Sequence, residues 1–228
     1  MVTVLLFLSF MPVPRLDASG NEPAFARRSW ILWSLAVLWL TGAVGGLWVV
    51  WAYENRAGAS ASAPEQWPRH SGLTRAAAGP TLILLAHPRC PCTQASLGEL
   101  AEVLARTNNP PKTYVLFLKP EGFAEGWEHT DLWQLASALP NATLVRDDDG
   151  IEARRFGAVT SGQTLLYDAR GALAFSGGIT GSRGHQGENA GRVELIALLN
   201  GTGVRGAGTS VFGCPLFSPG SRSGEEAE

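Results

Sequence analysis

Three cysteines are the residues of this 228-residue chain best suited to chemistry. Cys90 and Cys92 stand on either side of Pro91, directly after the apolar run 81–86, and leucines follow them at helical spacing. A helix N-terminus favours a cysteine as its thiolate, and the first helical turn accepts proline. We therefore predict a buried strand that delivers two reactive cysteines to the start of a helix.

This pattern is typical of thiol–disulfide exchange, in which no cofactor takes part. A Cys-x-Cys disulfide closes a small, strained ring, and strain makes a disulfide more oxidising. Either Cys90 or Cys92 would be the attacking thiolate and the other the resolving thiol, with the adjacent cation of Arg89 lowering a thiol pKa. Cys214 lies far along the chain, after a stretch at 207–210 that we expect to be flexible, and is a second candidate resolving thiol.

A copper site is the alternative interpretation of the same residues. Two thiolates with a nearby imidazole suit Cu(I). His87 lies three residues before Cys90, and His185 lies in a glycine-rich loop after the last predicted strand. The alternative function is therefore a copper-binding carrier or assembly protein that uses Cys90, Cys92 and either His185 or Cys214.

The composition limits the other function classes. The formal net charge is −2 and hydrophobic residues make up 45% of the chain. Because there is no basic excess, we expect no nucleic-acid partner. Three cysteines do not make a disulfide-stapled scaffold, since an odd number leaves at least one thiol unpaired. The chain therefore predicts one modest globular domain together with a more apolar segment.

The apolar segment is 29–53, which contains no charged residue. At about 1.5 Å per helical residue it is long enough to cross a hydrocarbon core of about 30 Å. Aromatic residues crowd its two ends, as they do at membrane interfaces: Trp30, Trp33, Trp48, Trp51 and Tyr53. We predict a single transmembrane helix.

The charges around this segment predict its orientation. Arginines at 15, 27 and 28 precede it, whereas one glutamate and one arginine follow it closely at 54 and 56. The positive-inside rule then places 1–28 in the cytoplasm and the rest of the chain on the periplasmic face of a bacterial inner membrane. The first eleven residues lack a basic n-region, so translation is expected to begin at Met1 or at Met11.

Beyond the span we predict three regions: a linker at 54–79, a domain at 80–201 and a flexible tail at 202–228 that carries Cys214. The linker is rich in alanine, serine, glycine and proline. Within the domain, hydrophobic periodicity predicts the order β-α-β-α-β-α-β-β-α, which implies a mixed sheet with helices on both faces. The strands are expected at 81–86, 113–118, 142–146, 164–167 and 172–176, and the helices after Cys90 and at 130–139, about 150–155 and 190–199.

This order resembles the thioredoxin-like superfamily over about 81–201. The stretches that carry the resemblance are 85–92, with the Cys-Pro-Cys motif, and 164–171, with the hairpin turn. Together with the single span, the segments 182–185 and 211–216 look like a group of bacterial membrane proteins labelled RedB. The resemblance implies a thioredoxin-like α/β fold and a thiol-disulfide oxidoreductase with a protein thiol or disulfide as its partner.

Two positions depart from the superfamily pattern. Aligning Cys-x-Pro-Cys on Pro91 and Cys92 puts Arg89 at the usual nucleophile position. Gln163 stands where the superfamily has a cis-proline that faces the active site. We expect both Arg89 and Gln163 to contact the substrate. The missing proline also leaves open a third class, an interaction domain without turnover.

Overall fold

The computed structural model describes residues 24–204 and 206–217, and the chain divides after Tyr53 into two compact units. Helix α1 (Ala24–Glu54) makes up the described part of the first unit. Its residues Ser29–Glu54 are long and apolar enough to cross a membrane, a criterion that an N-terminal signal sequence also meets. The start at Met1 or Met11 and most of the predicted segment 1–28 lie outside the described residues.

The second unit is built around a six-stranded mixed sheet of order β3-β2-β1-β4-β5-β6. Strands β1, β2 and β3 are parallel, β4 is antiparallel to β1, and β5 is antiparallel to β4. The predicted α/β class and element order are confirmed. The strands are β1 (Thr81–Ala86), β2 (Lys112–Lys119), β3 (Ala142–Asp148), β4 (Gln163–Tyr167), β5 (Leu173–Gly178) and β6 (Ala207–Gly208), and the helices are α2 (Pro91–Ala105), α3 (Asp131–Ser137), α4 (Ile151–Arg155) and α5 (Ala190–Leu199).

Strand β1 lies inside the sheet between β2 and β4, and every one of its residues is buried. A continuous apolar run of this kind suits a strand that is covered on both faces. On one face, α2 contributes Leu97, Leu100 and Val103, and α5 contributes Leu195. On the other face, Ile83 and Leu85 pack in a second cluster with residues from α4 and the loops around it. The sheet thereby holds the end of β1, where the cysteines follow, in a fixed position.

The segment 54–79, predicted as a linker, lies on the second face of the sheet. The ring of Trp67 is 5.0 Å from Phe156 and 5.3 Å from Tyr167, between centroids and nearly edge-on. The hydroxyl of Ser71 donates to the carboxylate of Glu152 at 2.6 Å. The short helix α4 leaves apolar surface uncovered on this face, and Trp67 covers it. This segment is therefore part of the domain, which corrects the prediction.

The predicted flexible tail, 202–228, is also ordered in the part that the structure describes. Strand β6 pairs with β5, so the first two residues of the stretch 207–210, which was expected to be flexible, belong to the sheet. Further on, the N–H of Leu216 donates to the carbonyl of Val159 at 2.9 Å, and the side chain of Leu216 is 6% exposed. Burial of this leucine and a run of backbone hydrogen bonds keep the segment on the sheet. Residues from 218 onward lie outside the described part.

Candidate active site at three cysteines

The end of β1 presents Cys90 and Cys92 as predicted. Cys90 is the N-cap residue of α2, with extended backbone angles, and Pro91 is the first helical residue. The Cys90 residue is 1% exposed and the Cys92 residue 6%. The cysteines thus lie at the positive end of a helix that packs tightly on the sheet.

Cys214 lies directly against Cys90, although 124 residues separate them along the chain. Their Sγ atoms are 2.8 Å apart and share a hydrogen bond, and both cysteines are free thiols. A disulfide bond is about 2 Å long, so closing one requires the sulfurs to approach by less than about 1 Å. Cys92 lies close enough to this pair for burial and the neighbouring Cys90 to raise its pKa.

A short paired segment, 213–216, holds Cys214 at this place. The N–H of Ser161 donates to the carbonyl of Cys214 at 2.9 Å, and Pro215 forms an antiparallel bridge with Thr160. One guanidinium nitrogen of Arg183 donates to the carbonyl of Gly213 at 2.7 Å. A Cβ on Gly213 would lie 1.8 Å from the carbonyl oxygen of Ser161, so only glycine permits this approach. The cysteine is therefore positioned by backbone pairing and not by a swinging tail.

Ser161 connects this segment to the cysteine helix. The residue is completely buried, and its hydroxyl accepts the N–H of His87 at 2.8 Å. The same hydroxyl lies 2.8 Å from that of Thr93 in the first turn of α2, which donates to the carbonyl of His87. The sequence analysis missed Ser161, which belongs to no recognisable motif, and it included Arg183 only within the segment 182–185, without a role at the cysteines.

Hydrogen bonds give the three thiols different acidities. Burial opposes ionisation of Cys90, but the thiol of Cys214 and the backbone N–H groups of Cys214, Thr93 and Cys92 together lower its pKa. Burial and the neighbouring Cys90 raise the pKa of Cys92. Burial and the same neighbour raise the pKa of Cys214 to about 12. Cys90 is therefore the most readily ionised of the three thiols, and once it is ionised the Cys214 thiol can donate its S–H to it.

The glycine-rich loop after β5 reaches the site through its backbone. The N–H of Gly184 donates to the sulfur of Cys92. The His185 side chain is exposed, and its Nδ1 lies 2.8 Å from the carbonyl of Arg183. Within 24–204 and 206–217 no group of three or more His, Cys, Asp or Glu residues is arranged to hold a metal ion. The loop that carries His185 therefore reaches the cysteines, but its imidazole does not join them in a group that could hold a metal.

A buried ion pair anchors this loop to α2. Glu99 is 1% exposed, and its carboxylate accepts the guanidinium of Arg192 at 2.8 Å and the N–H of Gly187 at 2.6 Å. The amide of Asn189 donates to the same carboxylate at 3.4 Å. One helix therefore carries both the cysteines and the residue that fixes the loop beside them.

Arg89 and Gln163, predicted to contact the substrate, differ in exposure. The guanidinium carbon of the exposed Arg89 is 5.2 Å from the ring centroid of Trp127, a cation–π contact. Burial and the charge of Arg89 lower the pKa of His87, so this imidazole is neutral at neutral pH. Gln163 begins β4 and is 3% exposed, and its buried Oε1 has no hydrogen-bond partner. Only Arg89 presents its side chain to solvent.

Comparisons with known proteins concern the fold. No family model and no curated protein matches the chain. A hypothetical protein of Sinorhizobium meliloti 1021 matches at 16% identity over 70% of this chain and 97% of its own, with a TM-score of 0.50. An uncharacterized conserved protein of Geobacillus kaustophilus matches at 16% identity over 74% and 95%, also with a TM-score of 0.50.

A third solved structure, of a secreted Mycobacterium tuberculosis disulfide oxidoreductase homologous to E. coli DsbE, matches less well. Its identity is 17% over 53% of this chain and 80% of its own, with a TM-score of 0.37.

The strand order β3-β2-β1-β4-β5, with helices on both faces, is the observation that defines the domain. The second unit of the chain has a thioredoxin-like fold.

Proposed function

We propose that this protein is a membrane-anchored thiol-disulfide oxidoreductase whose redox-active pair is Cys90 and Cys214. The observation that carries the proposal is the separation of 2.8 Å between the two sulfurs at the N-terminus of α2. A thiolate next to a protonated thiol is the reduced half of a disulfide couple, and only a small movement separates the two forms.

The acidities of the two cysteines support the same pairing. Disulfide exchange needs one sulfur that is stable as a thiolate, because that sulfur attacks or leaves fastest. Cys90 meets this need, since its pKa is lowered by the Cys214 thiol and three backbone N–H groups against the effect of burial. Cys92, with its pKa raised by burial and by Cys90, is the third thiol of the site.

The proposed location follows from α1 and from the chemistry. Ser29–Glu54 would be the anchor, and the flanking charges would place the N-terminus in the cytoplasm and the domain on the periplasmic side. Disulfides persist in that compartment, whereas the cytoplasm keeps thiols reduced. The partner in exchange would be a protein that carries a thiol or a disulfide.

Turnover by serine variants tests the proposal. The full chain in detergent is assayed for reduction of a protein disulfide with dithiothreitol as the electron source, using Cys90→Ser, Cys92→Ser and Cys214→Ser. We expect loss of activity in the variants at 90 and 214 and retention in the variant at 92. If Cys214→Ser keeps its activity and Cys92→Ser loses it, the result would instead favour the Cys90–Cys92 pair that the Cys-Pro-Cys motif predicts.

Copper binding is the second candidate function, and it stays a proposal from the sequence. The contact between the sulfurs of Cys90 and Cys214 is the observation in its favour, because soft thiolates suit Cu(I). Native mass spectrometry of the reduced protein with Cu(I) tests it. A carrier would be supported if the wild-type protein binds copper stoichiometrically, Cys90→Ser binds none and His185→Ala binds less than the wild type. No retained copper would contradict it.

A further inference from the structure

The two sulfurs of the proposed redox pair differ in their access to solvent. The Cys90 residue is 1% exposed and is covered by its own helix and by the segment 213–216. Cys214 is partly exposed. A large reactant can therefore approach Cys214 more readily than Cys90.

The hydrogen bonds at Cys90 suit a leaving group. The backbone N–H groups of Cys92, Thr93 and Cys214 point to its sulfur, at the positive end of α2. Negative charge that arrives on Cys90 is thus stabilised without any rearrangement. The hydrogen bonds that hold the Cys214 segment end on the carbonyl groups of Cys214 and Gly213 and not on the sulfur. Burial and the neighbouring Cys90 raise the pKa of Cys214, and the charge of Arg183 offsets this only in part.

Exposure and charge stabilisation lead to the same direction of exchange. We propose that, in the oxidised protein, a substrate thiolate attacks the sulfur of the partly exposed Cys214 and expels the buried thiolate of Cys90, so that the protein donates its disulfide to dithiol substrates. This inference rests on the proposed function and adds to it the sulfur that is attacked, the direction of electron flow and the substrate class.

The exchange balances without a further reactant. In the first step the bond between Sγ of Cys90 and Sγ of Cys214 breaks and a bond between the substrate sulfur and Cys214 forms. In the second step the other substrate thiolate attacks the substrate sulfur of this mixed disulfide, which releases Cys214. The two electrons of the substrate dithiol end on Cys90 and Cys214, and Cys214 takes up a proton because its pKa is high.

Attack at Cys90 is the opposite possibility, and the structure disfavours it in two ways. The incoming thiolate would have to reach a residue that is 1% exposed. The leaving group would then be Cys214, whose pKa of about 12 makes it the slower of the two to leave. Access and leaving-group stability both favour attack at Cys214.

Trapping the mixed disulfide tests the inference on the oxidised full chain in detergent. The protein is treated with excess mercaptoethanesulfonate, quenched with acid and N-ethylmaleimide, and mapped by peptide mass spectrometry. The Cys92→Ala variant is treated in parallel, so that the third thiol cannot redistribute the adduct. We expect the adduct on Cys214 and the alkyl label on Cys90 in both proteins.

The other outcomes are distinct. An adduct on Cys90 with label on Cys214 would overturn the inference but leave the Cys90–Cys214 couple intact. A starting material that contains no Cys90–Cys214 disulfide would overturn the proposed function itself and this inference with it.

Discussion

At Cys90, burial and hydrogen bonding act on the thiol in opposite directions. Burial raises the cost of the thiolate, whereas the Cys214 thiol and three N–H groups lower it, and the hydrogen bonds prevail. The acidity of Cys90 therefore depends on its neighbouring cysteine. Arg89, the cation next to it in sequence, packs instead on Trp127.

Replacing Cys214 should make Cys90 less acidic. In the Cys92→Ala background, Cys214→Ala removes the S–H donor that is the largest factor lowering the pKa of Cys90. Because a lowered pKa keeps the thiolate to lower pH, its loss should move the ultraviolet thiolate titration of Cys90 to higher pH. An unchanged titration would show that the backbone N–H groups and the helix alone set the acidity.

Arg183 should favour anionic reactants, because its charge lowers the pKa of both Cys214 and Cys92 against the effect of burial. A unit charge about 4 Å away is worth about 1 kcal/mol in water. Arg183→Gln should therefore slow reduction by mercaptoethanesulfonate about fivefold more than reduction by neutral mercaptoethanol. Arg170→Gln, at the β4–β5 turn, is the matched control. Equal slowing by both thiols would mean that Arg183 acts only through its hydrogen bond to Gly213.

Among the elements, the paired segment 213–216 determines the chemistry of the site. It brings Cys214 to the N-cap of α2, while Ser161 ties the same stretch of chain to His87 and Thr93. On the other side, the Glu99–Arg192 ion pair fixes the glycine-rich loop. The site is thus assembled from a helix start and two backbone segments, each held by buried polar contacts.

Gly213→Ala should separate Cys214 from Cys90. The new Cβ would lie 1.8 Å from the carbonyl oxygen of Ser161, so the segment has to move away. We expect the yield of the Cys90–Cys214 disulfide under a fixed redox buffer to fall sharply, measured by alkylation and mass. Gly72→Ala is the control, because its Cβ would meet only ordinary contact at 3.6 Å from Glu152. Full disulfide yield in Gly213→Ala would show that the segment tolerates displacement.

At the scale of the whole molecule, the domain extends beyond the region of clear periodicity at both ends. The strands and long helices were predictable, because β1 is continuously apolar and α2 and α5 have helical spacing. The packing of 54–79 and 206–217 was not predictable, because the composition of these two stretches is that of a linker and a tail. The position of Cys214 depends on backbone pairing with 159–161, which leaves no periodic pattern in the sequence.

The contribution of the segment 54–79 to the stability of the domain can be measured through Trp67. Trp67→Ala removes an aromatic ring from contact with Phe156 and Tyr167 and should lower the free energy of unfolding by about 2 kcal/mol. Chemical denaturation followed by far-ultraviolet circular dichroism measures it. Arg69→Ala, an exposed change in the same segment, should have little effect. Equal stability of the two variants would mean that 54–79 does not support the domain.

The account's central claim is the pairing of Cys90 with Cys214, and the disulfide map of the oxidised wild-type chain tests it most directly. The protein is oxidised, alkylated without reduction, digested and examined by mass spectrometry. We predict a peptide pair linked through Cys90 and Cys214, with Cys92 alkylated, because these two sulfurs lie 2.8 Å apart. A disulfide between Cys90 and Cys92, with Cys214 alkylated, would contradict the account.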